Sequence, residues 1–145
     1  MTDTIVIAEL SKGEINNTTN ELVSAAQELG SNCVIVVPCT DSTMADNAAK
    51  ISGVSKVIAA KSDVFSNYDA AAWAEALDSV MPDGVIVTAA SAQSKDLAAR
   101  LAARRGISVI QDVIAIDGGI LSTPIYSGKA IQNVSVSGNS VVSIR

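Results

Sequence analysis

Apolar residues in this chain gather into short continuous runs, separated by polar stretches with helical spacing, and that alternation sets the expected order of elements. Residues 4–10 (TIVIAEL) are β-branched and almost uniformly apolar, as a strand buried on both faces requires. The polar loop SKGEINNTT follows. The run NELVSAAQELG then places Leu22, Ala25, Ala26 and Leu29 at helical spacing, and Gly30 closes the helix. A second buried strand covers residues 32–38, ended by a proline that cannot donate to a ladder. Ser42 or Asp41 can cap a short helix over residues 44–52, which Gly53 stops. Residues 56–60 read as a third, shorter strand. Residues 68–81 read as an Ala-rich helix in which Trp73 and Leu77, four apart, face the sheet.

Pro82, Asp83 and Gly84 turn the chain into VIVTAA, the fourth strand, and a short polar loop then leads into a helix over residues 94–105. Four β-then-α units in succession predict a three-layer α/β domain with a parallel sheet and right-handed crossovers. After Gly106 the helical period disappears. β-Branched residues alternate with turn signals, and DGG and SGNS fall where hairpin turns belong, so the last third is expected to be short strands, at least some of them antiparallel. No tandem repeat, linker or low-complexity segment interrupts the chain.

Composition adds bounds to this picture. A length of 145 residues matches one domain, so residues 1–145 are treated as a single folding unit. Hydrophobic residues make up 48% and aromatics only 3%, which leaves Ala, Val, Ile and Leu to build the core. A net charge of −5 argues against nucleic acid and against an anionic membrane surface as partners. No apolar run approaches the roughly 20 residues that span a bilayer. The start MTDTIVIAEL carries neither a basic, apolar leader nor an Arg-rich presequence, so a cytoplasmic location is expected. Cys33 and Cys39 flank opposite ends of one short strand, beyond disulfide reach, and are expected to be buried thiols.

The chemistry is sparse. Histidine is absent, which excludes Ser-His-Asp and Cys-His mechanisms and removes the commonest nitrogen ligand of zinc. Neither G-x-G-x-x-G nor G-x-x-x-x-G-K-[ST] occurs. The carboxylates, including Glu9, Glu14, Glu21 and Glu28, are scattered, and solvated faces and caps account for most of them. Two loops, residues 11–17 and 91–95, would lie beyond the carboxyl ends of strands, where open parallel sheets receive ligands. In the second, Ser91, Gln93, Ser94 and Lys95 would surround a helix N-terminus, whose free N–H groups and dipole favour an anion. With Ser94 as the N-cap, however, Asp96 falls in the first turn and answers the dipole itself, while Arg104 and Arg105 answer the other end. A capped structural loop and an anion or nucleotide site therefore both remain open. Asp96 and Arg100 form an i,i+4 pair worth about a few tenths of a kcal/mol. A hydrolase or transferase working without histidine would have to rest on Lys95 or Glu9, and nothing positive supports one.

In order along the chain, IVIAEL..GEI...T.ELVSAAQELG, GVSKVIAAKSDVF, TAASAQSKDLAARLAARRG, SVIQDVIAI and PIYSGKAIQNV resemble the N-terminal domain of the electron transfer flavoprotein alpha subunit, over nearly the whole sequence. The most specific pieces are residues 90–103, Asp112 and the IYSGKA run at 125–130. The resemblance implies a parallel-sheet fold of the adenine-nucleotide-hydrolase-like (Rossmann-like) type with a C-terminal antiparallel strand extension. It also implies a heterodimeric carrier in which alpha and beta subunits hold one FAD. That carrier passes electrons from flavin dehydrogenases, such as acyl-CoA dehydrogenases, to a quinone oxidoreductase.

In that family the FAD lies mainly on a second, C-terminal domain of alpha. Its counterpart is absent from residues 1–145, so no FAD is expected on this chain alone and no catalytic residue is assigned. The family places a structural AMP in the beta subunit and leaves the equivalent alpha pocket empty, which favours a structural role for residues 91–95. Arg100, Asp112, Tyr126 and Lys129 match family motifs and are the candidates for contacts within or between domains; an internal ion pair is the plainer reading of Arg100 and Asp112. The expected function is a scaffold that meets the beta subunit; if the chain is truncated, apolar surface left uncovered would make a homodimer the other partner to consider. The alternative is a free-standing adenine-nucleotide-binding module of universal-stress-protein-like fold.

Overall fold

A computed structural model describes residues 3–145. Residues 1–2 belong to the chain start read above as leaderless and lie outside the described residues. The chain runs through β1 (Thr4–Ile7), β2 (Leu10–Ser11), β3 (Glu14–Ile15), α1 (Thr18–Leu29), β4 (Cys33–Cys39), a 3₁₀ helix (Ser42–Lys50) and β5 (Lys56–Lys61). A 3₁₀ turn (Asp63–Ser66), α2 (Ala70–Asp78), β6 (Val85–Ala89) and α3 (Ala92–Arg105) follow. The last third holds β7 (Ser108–Val113), β8 (Ala115–Asp117), β9 (Ile120–Ile125), β10 (Ala130–Ser135) and β11 (Ser140–Ile144).

Among the described residues, six strands form one parallel sheet in the order β5-β4-β1-β6-β11-β7. Successive side chains leave a strand on opposite faces, and β1 divides the core accordingly. Val6 joins Ile35, Val87 and Val142 on one face, under Leu22, Val23 and Ala26 of α1. Ile5 and Ile7 join Val36, Ile86 and Val141 on the other, under Leu77 of α2 and Leu97 and Leu101 of α3. Both faces are covered, which is why the central strands read as unbroken apolar runs. Burying one such leucine contributes about 1.5–3 kcal/mol before entropy is counted. Leu77 is fully buried and Trp73 packs partly buried against the same face, as their spacing predicts.

Several boundaries differ from expectation, each for a local reason. β1 ends at Ile7, because Leu10 and Ser11 leave the sheet to pair with Glu14 and Ile15 around Lys12 and Gly13, both at positive φ (54° and 78°). Pro38 lies within β4 rather than ending it. The Val36 carbonyl accepts from the Ala8 N–H, so Pro38, two residues on, turns its missing donor toward β1, whose ladder has stopped at Ile7. The short helix is 3₁₀ rather than α and begins at Ser42, with the Asp41 carboxylate accepting from Thr43 N at 3.0 Å. α2 is shorter than its pattern because Asp69 caps it, accepting from Ala72 N at 3.1 Å.

In the last third, β7 and β11 extend the parallel sheet while β8, β9 and β10 form a separate antiparallel sheet. DGG makes the β8–β9 hairpin, with Gly118 and Gly119 at φ 56° and 82°. SGNS makes no hairpin. It carries the chain from the small sheet back into the large one, where Ser140 to Ser143 are all buried between β6 and β7. The second hairpin instead turns over residues 126–129, within IYSGKA. None of the helices among the described residues is long and apolar enough to cross a membrane.

Candidate functional site

The sheet winds from β1 to β4 and β5 on one side, then returns to β6 on the other. Its reversal point lies between β1 and β6, and a crevice opens beyond their carboxyl ends. The cavity there measures about 730 Å³. Glu9 lines it from the end of β1, Ser91, Gln93 and Ser94 from the start of α3, and Phe65, Tyr68 and Trp73 from the segment before and within α2.

The start of α3 differs from the sequence reading. Its N-cap is Ser91, not Ser94: Ser91 is extended (φ −67°, ψ 161°) and its Oγ accepts from Ser94 N at 3.2 Å. The helix consequently begins at Ala92, and Asp96 lies beyond its first turn, too far along to answer the dipole. Asp96 instead accepts from the Tyr68 hydroxyl at 2.9 Å. The anion that answers the dipole is Glu9. Its Oε1 accepts from the Ser94 hydroxyl at 2.5 Å and also from the Ser91 hydroxyl, placing a carboxylate where a phosphate would bind. Sequence alone held no signal for this contact, because the partners are more than eighty residues apart.

Lys95, the remaining member of the predicted cluster, is not in the lining; its Nζ donates to Asp112 at 2.7 Å. Among the described residues Glu9 is the one charged side chain lining the crevice, and it is negative. A pyrophosphate such as that of FAD, brought to the α3 N-terminus, would meet the Glu9 carboxylate and add like charge beside it.

Tyr68 is pushed up to about 12, first by burial and then by its hydrogen bond to Asp96, so it stays a neutral phenol through the physiological range. The Trp73 indole N–H donates to the Val64 and Asn67 carbonyls at 3.0 Å each, and its ring meets Phe65 and Tyr68 edge-on at 5.0 and 5.2 Å. Cys39, also in the lining, and Cys33 are buried free thiols pushed up mainly by burial, which keeps them in the unreactive protonated form.

With this geometry in view, relatives supply the context. The family model described as "Electron transfer flavoprotein domain" matches residues 4–145. The chain belongs to the electron transfer flavoprotein family. "Electron transfer flavoprotein subunit alpha" of Mycobacterium tuberculosis is 31% identical over 153 aligned residues, covering 100% of this chain and 48% of that protein. The protein of the same name from Paracoccus denitrificans is 32% identical over 133 residues (90% and 43%), and that from Bacillus subtilis 30% over 140 (90% and 43%). The chain thus spans about half the length of the curated relatives it matches, and its likeness is to an electron transfer flavoprotein alpha N-terminal domain with a Rossmann-like parallel sheet.

The four positions singled out in the sequence as contact candidates do not converge on one point. Arg100 and Asp112 form no pair with each other. Arg100 lies 3.9 Å from Asp96 on an exposed helix face, whereas Asp112 takes Lys95. Asp112 is at φ 60° at the irregular end of β7, where its N–H donates to Ser143 Oγ at 2.9 Å. It thereby ties β7 to both α3 and β11. Tyr126 and Lys129 sit in the β9–β10 hairpin turn, with Tyr126 78% exposed and at φ 52°. Arg105, read from sequence as a helix-end charge, is instead 13% exposed and ties α3 to the end of α2. It donates to Asp78 at 2.6 Å and to the Met81 and Pro82 carbonyls at 2.8 and 2.9 Å.

Proposed function

We propose that this domain is the scaffold part of an electron transfer flavoprotein alpha subunit. With a beta subunit and an FAD-binding domain beyond residues 1–145, it would serve a carrier that takes electrons from flavin dehydrogenases, such as acyl-CoA dehydrogenases, to a quinone oxidoreductase in the cytoplasm. It takes no chemical step itself: its part is contact. The observation that carries this reading is the Glu9 carboxylate at the α3 N-terminus, which fills from within the seat that a nucleotide phosphate would need. The exposed Tyr126 at the tip of the antiparallel extension supports a contact role, and Lys129 beside it and Asp112 at the root of that extension are the residues assigned to it. The chain purified alone should be colourless and should co-elute with a cognate beta subunit in size-exclusion chromatography. A stoichiometric flavin spectrum from this chain alone overturns the assignment of FAD to another domain, and failure to co-elute overturns the scaffold role.

One observation favours a second reading, a free-standing adenine-nucleotide-binding module: the 730 Å³ crevice lies at the winding reversal where such sheets bind nucleotides. Calorimetric titration with AMP and ATP separates the two. Micromolar binding abolished by Ser94→Asp supports the module, and the absence of heat at millimolar nucleotide removes it.

A further inference from the structure

We propose that the crevice is a binding site for a small planar organic cation, one bearing an amidinium, a guanidinium or a protonated amino-heterocycle. The first argument is the state of Glu9. Both serine hydroxyls donate to Oε1, and among the described residues no donor engages Oε2. The carboxylate is thus held through one oxygen while the other stays free to accept a charge-assisted hydrogen bond. Its position is set by the α3 N-terminus, so it need not be ordered when a ligand arrives.

The second argument is the aromatic part of the lining. The chain has four aromatic residues, and Phe65, Tyr68 and Trp73 all line this one crevice. The first half of the core packs without them; the second buries Phe65 and takes Tyr68 and Trp73 only partly buried against it, while all three also line the crevice. Their edge-to-face contacts and the two hydrogen bonds of the Trp73 indole fix the rings in place. Rings of this kind attract cations by cation–π contact and stack against planar groups.

Charge points the same way. Glu9 is the charged member of the lining, Lys95 is drawn away to Asp112, and the chain carries a net −5. An anion meets repulsion here and a cation does not. A volume of about 730 Å³ falls within the range of small-molecule sites. The proposal does not rest on the scaffold reading, and it stands or falls whether or not a beta subunit binds.

Trp73 is the one tryptophan, so its indole N–H gives a single, assignable nuclear magnetic resonance signal inside the crevice. Titration of the whole chain with benzamidine should move that signal saturably at submillimolar concentration, and AMP should not. Glu9→Gln, which keeps an oxygen for Ser91 and Ser94 but loses the charge, should weaken benzamidine about tenfold or more. Tyr68→Leu should weaken it several-fold, with the spectrum elsewhere preserved. If Glu9→Gln does not fold, salt takes its place: benzamidine affinity should fall as NaCl is added. No saturable shift at millimolar benzamidine, salt-independent binding, unchanged affinity in folded Glu9→Gln, or AMP binding tighter than benzamidine would each overturn the proposal.

Discussion

Glu9 and Ser94 share a 2.5 Å hydrogen bond that joins the end of the first strand to the first turn of α3, 85 residues further along the chain. The bond answers the helix dipole with a carboxylate and ties together the two elements that frame the crevice. Glu9→Ala removes the acceptor for two hydroxyls as well as the charge. It should cost about 1–3 kcal/mol in urea denaturation, and Glu9→Gln distinctly less. Equal losses in both variants would show that the charge carries the whole effect and that a neutral acceptor contributes nothing.

Arg105 should matter more than its place at a helix end implies. It is mostly buried and its guanidinium spans Asp78 and two carbonyls beyond α2. Arg105→Ala leaves the Met81 and Pro82 carbonyls without that donor and Asp78 with Arg104 alone, and should cost about 2–4 kcal/mol; Arg105→Lys, lacking the planar fork, should recover little of it. The check is equilibrium unfolding of both variants.

The same contact gives a pH dependence. Hydrogen bonding from Arg105, with Arg104 beside it, holds the Asp78 carboxyl below its ordinary value of 3.8. The folded state therefore prefers the ionised form. Its contribution is complete above the unfolded value and fades as pH falls through the depressed folded value. Unfolding midpoints followed into acid should show this loss below pH 3.8, and Asp78→Asn should flatten that part of the profile.

At the other end of the scale, burial and the hydrogen bond to Asp96 push Tyr68 up to about 12 from its ordinary 10. A raised value means that folding favours the neutral phenol. Its contribution is whole below pH 10 and is lost as pH rises toward 12. Ultraviolet titration of Tyr126→Phe, which leaves Tyr68 as the sole tyrosine, should show that midpoint. Asp96→Asn should lower it only in part, because burial is the larger cause.

Tyr126 gives a test that separates folding from contact. It is exposed and sits at φ 52°, a conformation that costs an L-residue roughly 1–2 kcal/mol. Tyr126→Gly should stabilise the isolated chain, by about 0.5–1 kcal/mol once the flexibility of glycine is charged against it. If the ring is retained for a partner, the same variant should bind a beta subunit more weakly. Stabilisation with undiminished association would remove Tyr126 from the interface.

The parts of this fold that could be read in the sequence are those set by neighbouring residues. The β-branched runs at Ile5 and Val87, the helical spacing of Leu22 and Ala26, and the turn at Gly118 and Gly119 each carry their own signal. β11 does not: it enters the sheet without a helical crossover, so the rule that orders the earlier strands says nothing about where it goes. The α3 cap was misplaced for a related reason. Ser91 and Ser94 are equally good capping residues by type and both donate to Glu9; the cap is Ser91 because its backbone is extended where β6 gives way to the helix, so that its Oγ accepts from the N–H of Ser94, which is already helical. Likewise Asp112 finds Lys95 rather than Arg100, since α3 directs Lys95 toward the end of β7. Long-range polar pairs of this kind are a matter of tertiary approach, and spacing along the chain does not encode them.

The insertion of β11 between β6 and β7 also sets an order of events during synthesis. The pieces flanking its slot are translated well before the residues that fill it. A nascent chain that has emerged only as far as Val136 has the open edge of the buried strand β6, the unpaired edge strand β7, and uncovered valine and isoleucine between them. Completion of the sheet must await residues 140–144, so the last strand acts as a keystone: translation that stalls just before it leaves a sticky, incomplete sheet rather than a slightly smaller domain.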